Sequence, residues 1–174
     1  MILHLKNIST NEIKRNVRYA GSDIAIPIVG MDENLQYYYE QVDQQPTFDS
    51  RTHSIARQET WTNEPHPTYT HILKMSVTWT LTQKSNEQII EALTSVLGDY
   101  LDENYPMAIR LKHLKEGVEL ALLTPNKTDE QVARLTYITS LGDWLNVCRV
   151  ERDDQEAALT NDGTLPTFQF TEKP

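Results

Sequence analysis

A single cysteine, six glycines and the absence of any long apolar run set the first limits on this 174-residue chain. With Cys148 alone, neither an internal disulfide nor a cysteine-based zinc site can form. Its apolar helical setting marks it as buried filler rather than a nucleophile. No stretch approaches the ~18 consecutive apolar residues of a membrane span. The opening Met1-Ile-Leu-His-Leu-Lys6 lacks the basic start and long apolar stretch of a secretory leader. The expectation is a protein made and kept without export or lipid. Glycine is too sparse for a phosphate-cradling loop, and no Gly-x-Ser-x-Gly elbow occurs.

Basic charge is also scarce. The net charge is −9, and it is unevenly placed: residues 1–84 carry 8 basic and 9 acidic side chains, residues 85–174 carry 8 and 16. An acidic surface repels phosphate backbones, which argues against nucleic acid as the partner. The one basic cluster, Lys14-Arg15-Asn16-Val17-Arg18, is too short to reverse that and reads as a solvated loop.

What the chain does have is a single switch of periodicity. Residues 71–81, His-Ile-Leu-Lys-Met-Ser-Val-Thr-Trp-Thr-Leu, alternate with period two. His71, Leu73, Met75, Val77, Trp79 and Leu81 face one way, on a core, and Ile72, Lys74, Ser76, Thr78, Thr80 and Thr82 the other, in water, as in a half-buried antiparallel strand. From Ser85 the pattern is helical to about Leu159. Residues 1–6 read as a short strand, and residues 35–42, Leu-Gln-Tyr-Tyr-Tyr-Glu-Gln-Val, as another. Residues 52–60 suit a further strand. The apolar run at residues 22–30 is broken by Pro27, which fits an edge strand or extended arm.

The helical half has clear punctuation. Ser85-x-x-Gln88 and Thr128-x-x-Gln131 are capping boxes, Pro106 ends the first helix or restarts a new one at its first turn, and Asn161-Asp-Gly163 stops one. Met107, Leu111, Leu114, Val118 and Leu122 form the apolar stripe of the middle helix. The short turn at Thr124-Pro-Asn-Lys predicts a helical hairpin. Beyond Val150 the last helix is polar all round and is expected to run out into solvent. The reading is therefore α+β: an N-terminal antiparallel sheet with an extended arm, then three helices including a hairpin. The expected divisions are 1–34 (strand and arm), 35–84 (β module), 85–160 (helical module) and 161–174 (extended tail).

No catalytic constellation emerges, and no cofactor or metal is expected. His53, His66 and His71 fall within 19 residues, yet no carboxylate recurs beside them at ligand spacing. A small hydrolase using a His–carboxylate pair is the weakest of the readings. Asp153-Asp154 and Glu116/Glu119 have polar neighbours that would not separate their pKa values. The aromatics carry more. Alternation places Tyr37, Tyr39 and Trp79 in the core and leaves Tyr38 and Trp61 beside polar neighbours, as anchors for a protein or a sugar ring.

Residues 37–55, Tyr-Tyr-Tyr-Glu-Gln-Val-Asp-Gln-Gln-Pro-Thr-Phe-Asp-Ser-Arg-Thr-His-Ser-Ile, run into the Trp-bearing strand Ser76-Val-Thr-Trp79-Thr-Leu81. Together with Asn104-Tyr-Pro-Met-Ala-Ile-Arg110 and a helix carrying Trp144, this stretch resembles a small module of tail or tail-fibre-associated structural proteins of tailed bacteriophages. The resemblance covers about residues 35–150. It implies a non-enzymatic virion building block, located in the particle after assembly in the host cytoplasm. Its partners would be other virion proteins and further copies of itself. On that reading Ile26 and Ile28 of the arm, and Phe168 and Phe170 of the tail, are expected to add strands to a neighbour's sheet, with Tyr38 and Trp61 at the contact. A carbohydrate- or receptor-binding module using Tyr38 and Trp61 is the alternative.

Overall fold

The computed structural model describes residues 2–17, 33–123 and 127–174. The arm residues Ile26 and Ile28 lie outside them. Among the described residues the order is β1 (Leu3–Asn7), β2 (Ile13–Lys14), β3 (Leu35–Val42), β4 (His53–Pro65), β5 (Leu73–Gln83), α1 (Asn86–Asn104), α2 (Met107–Leu122) and α3 (Asp129–Asp162). This is an α+β fold, strands before helices. The chain forms two compact units: Met1–Asp49 with His53–Gln83, and Ser50–Thr52 with Lys84–Pro174.

The first unit is a five-stranded sheet in the order β2-β1-β3-β5-β4. Three of its pairings are antiparallel, but β3 runs parallel to β5, with Tyr38 opposite Leu73 and Val42 opposite Val77. A wholly antiparallel sheet was expected, and this pair corrects it. The cause is topological. β4 and β5 form a hairpin, and β5 inserts between β3 and β4 rather than β4 lying next to β3. The connection from Asp43 to Thr52 is long enough to step across two strand spacings, roughly 10 Å.

Register sorts the side chains. Tyr38, Met75 and Val77 are buried on one face, with Trp61, Leu73 and Trp79 packed around them. Leu3 and Ile72 are buried with Tyr37, Tyr39 and Tyr69 against them. The alternation expected for β5 holds at its centre, where Met75 and Val77 are fully buried, but not at its ends: Ile72, expected on the wet face, is buried, and Leu81, expected on the core, is exposed. For β3 the alternation holds but the face is inverted, since Tyr38 is the buried tyrosine and Tyr37 and Tyr39 are half-buried. Pro65 ends β4, an edge strand where its missing N–H leaves no ladder bond unmade.

In the second unit both capping boxes form. Ser85 Oγ accepts from Gln88 N and Thr128 Oγ1 from Gln131 N, with each glutamine reaching back to the cap N–H. Gly163 closes α3 in the left-handed region, φ 76°, and its N–H donates to the Leu159 carbonyl. Only glycine reaches that conformation without a Cβ penalty. Leu97, Leu101, Tyr105, Leu141, Trp144 and Cys148 form one core; Ile89, Leu93, Leu159 and Phe168 form another. The last turns of α3 therefore pack on α1 through Leu159, where a solvated helix end was expected. Burial raises the pKa of the Cys148 thiol, which suits filler better than a nucleophile.

Candidate functional site

The surface that stands out belongs to α2. Its apolar stripe sits at 107, 111, 114, 118 and 122, close to the 4-3-4 spacing of a coiled-coil seam. None of its residues is buried. Met107 is 57 % exposed, Leu111 60 %, Leu114 65 %, Val118 53 % and Leu122 77 %. The expected hairpin does form. Arg134 of α3 reaches Glu116 of α2 through both its Nε and Nη2 atoms at 2.7 and 2.9 Å, and Ile138 lies close enough to Gly117 that a Cβ there would sit 3.3 Å from Ile138 Cγ2. But α3 covers only one flank of α2. Between them runs an apolar groove of about 330 Å³, lined by Met107, Leu111, Leu114, Ile138 and Leu145 with Arg110 and Arg149 at its edges. Removing the stripe from water would contribute about 5–9 kcal/mol before ordering costs. Monomeric proteins seldom leave so much contiguous apolar surface wet.

The polar groups around the hairpin are well anchored. Tyr105 OH and His113 Nδ1 are 2.9 Å apart. Burial lowers the His113 pKa, with Arg134 adding to the shift, so the ring favours its neutral form. The hydrogen bond from Arg134 holds Glu116 below the usual carboxylate range. Arg110 donates to the Tyr105 carbonyl and to Asp102 at 3.0 Å. These groups are paired within the hairpin and offer a shaped, half-apolar face.

The other expected site residues fall elsewhere. Tyr38 is 6 % exposed and meets Trp61 edge-on at a centroid distance of 4.7 Å. Burial raises its hydroxyl pKa. The structure does bring Tyr38 and Trp61 together, as one packed aromatic pair rather than an open stacking platform. Beside them lies an ion network: Glu40 faces His4 at 3.5 Å and pairs with Arg57, while Glu59 pairs with both Arg57 and Arg15. Each acid in it meets a base, so it fixes the strands β1, β3 and β4 in register.

Phe168 is buried at 7 % exposure and Phe170 packs against both helical cores. The tail thus lies along its own helices and is not a free arm. The Thr171 carbonyl accepts from Trp144 Nε1 at 2.8 Å and Tyr100 OH at 2.9 Å, and Thr171 N donates to Glu151 at 2.9 Å. Lys173 Nζ donates to the Asn104 carbonyl. Of the histidines, His66 Nδ1 accepts from the backbone of Thr68 and Tyr69. His53 begins β4, roughly 40 Å along an extended strand from Pro65. Among the described residues no group of three His, Cys, Asp or Glu side chains could hold a metal ion, and no helix is long and apolar enough to cross a membrane.

The sequence located the α2 stripe without saying what covers it. The signal for exposure was the same stripe: a two-residue-wide seam has too narrow an apolar face for a helix enclosed on several sides. No family model, no curated protein and no solved structure matches the chain.

Proposed function

We propose that this chain is a non-enzymatic structural or adaptor protein, acting through protein–protein contacts in an oligomeric assembly of the kind found in bacteriophage tails. The observation that supports it is the α2 face, a full helical stripe of Met, Leu and Val left exposed. A partner that covers this face removes it from water, which is the general driving force of association. The virion setting rests on the tyrosine-rich strand, the Trp79 strand and the Tyr105-Pro106 helical hairpin of the sequence resemblance. The sugar-binding alternative has less support, because Tyr38 is buried edge-on against Trp61.

The test is to follow the chain through particle purification. Density-banded tailed particles from the source should contain it in a fixed ratio to the tail proteins, and chemical cross-linking should join α2 to another polypeptide. Intact particles free of the chain, from lysates rich in it, would refute the virion reading. Cross-links confined to single chains would refute the contact reading.

A further inference from the structure

The charges of α2 say what covers its apolar face. A helix is stabilised by acids in its first turn and bases in its last. α1 and α3 follow this at their starts, with Glu87, and with Asp129 and Glu130. α2 does the reverse: Arg110 and Lys112 occupy its first half, and Glu116 and Glu119 its second, with Lys115 at the middle. It also has no side-chain cap and no buried residue, and Gly117 sits in its middle. Nothing within α2 offsets these penalties, since the Lys115–Glu119 contact is 3.9 Å long between two exposed side chains. The adjoining residues of α3 extend the same polarity. Arg149 lines the groove at the basic end. Asp129 and Glu130 stand at the acidic end, where Lys127 opposes them and Arg134 is already held by Glu116.

An arrangement with one basic half, one acidic half and an apolar stripe between them complements itself when turned end for end. We propose that the α2 face pairs with α2 of a second copy of this chain, antiparallel, about a two-fold axis crossing the helix near Leu114. Arg110 and Lys112 of each copy then lie along the Glu119 end of the other, Lys115 stands beside the axis, and Met107 approaches the partner's Leu122. A parallel pairing sets base against base. The proposal deepens the protein-contact reading, on which its place in an assembly rests, by naming the partner. Such an isologous contact closes after two copies.

Sedimentation equilibrium of the full chain up to about 100 μM tests it, since a weaker pairing would hardly hold an assembly together. The wild type is expected to sediment as a dimer. Leu114→Glu, which places two like charges at the axis, is expected to weaken pairing roughly 100-fold or more while far-UV circular dichroism stays unchanged. Reversing the base (Lys112→Glu) or the acid (Glu119→Lys) alone should weaken it, and combining the two in one chain should restore it. A monomeric wild type, a Leu114→Glu variant that still dimerises, or a combined reversal that fails to restore pairing overturns the proposal. A monomer that is nonetheless built into particles overturns only this pairing. A dimer missing from particles overturns only the virion reading.

Discussion

Replacing Phe168 by alanine should unfold the helical unit more easily, and the size of the effect can be worked from the contacts. The ring is 7 % exposed and packed with Ile89, Leu93 and Leu159. Truncating a buried phenylalanine to alanine costs about 3–5 kcal/mol. The Arg51 guanidinium lies 4.0 Å from the ring centroid, and losing that cation–π contact adds about 0.5–1 kcal/mol. Phe168 also holds a φ of 58°, a left-handed conformation that costs a residue with a Cβ about 1–2 kcal/mol. Alanine keeps that penalty and glycine does not, although glycine's freer unfolded chain returns about 0.5–1 kcal/mol of the gain. Both variants should therefore lose about 4 kcal/mol, with Phe168→Gly at least as stable as Phe168→Ala. In urea, followed by helical circular dichroism, that loss moves the midpoint down by roughly 2 M. A loss below about 1 kcal/mol, typical of surface positions, would refute the reasoning and return the tail to the role of a free arm.

The two leucines of the hairpin should behave oppositely. Leu141→Ala, at a fully buried site, is expected to cost 2–5 kcal/mol, whereas Leu114→Ala should leave the unfolding free energy of the dilute chain nearly unchanged, both read by urea titration. Gly163→Ala should cost about 1 kcal/mol at the α3 terminus, seen as a lowered thermal midpoint with no change in the folded spectrum. Arg134→Ala should return Glu116 to an ordinary carboxylate titration, followed by NMR of its side chain. Because the folded Glu116 pKa lies below its unfolded value, the stabilisation is fully present above the ordinary glutamate range. It fades as pH falls through the lowered value, so the stability gap between wild type and Arg134→Ala should close in acid. A gap that widens in acid would show that the pair is not formed.

Local rules read most of the elements correctly. The capping boxes at Ser85 and Thr128, the stop at Gly163 and the alternation at the centre of β5 depend on neighbours within a few residues, and the structure has all of them. The failures depend on distant partners. Whether Tyr38 or its flanking tyrosines face the core is decided by His4, Leu73 and Trp61, which arrive from three other strands. The parallel β3–β5 pair follows from β5 inserting inside its own hairpin partner, which no periodicity encodes. Phe168 and Phe170 look like a strand, because the short run between Thr167 and Thr171 alternates. Their burial comes from hydrogen bonds of Thr171 to residues 20 to 71 positions away. The α2 stripe was visible as a stripe, but a stripe does not state whether it meets its own chain or another.

The compact units exchange a short piece of chain. Ser50, Arg51 and Thr52 belong with the helices although sheet residues flank them on both sides. Lys84 holds them, its backbone N donating to the Thr52 carbonyl at 2.9 Å and its Nζ to the Ser50 carbonyl at 2.7 Å. A gene cut after Gln83 would therefore not yield two self-sufficient products. The downstream fragment would lack Arg51 above the Phe168 ring and the buried Thr52, and supplying those three residues as a separate peptide should raise its melting temperature.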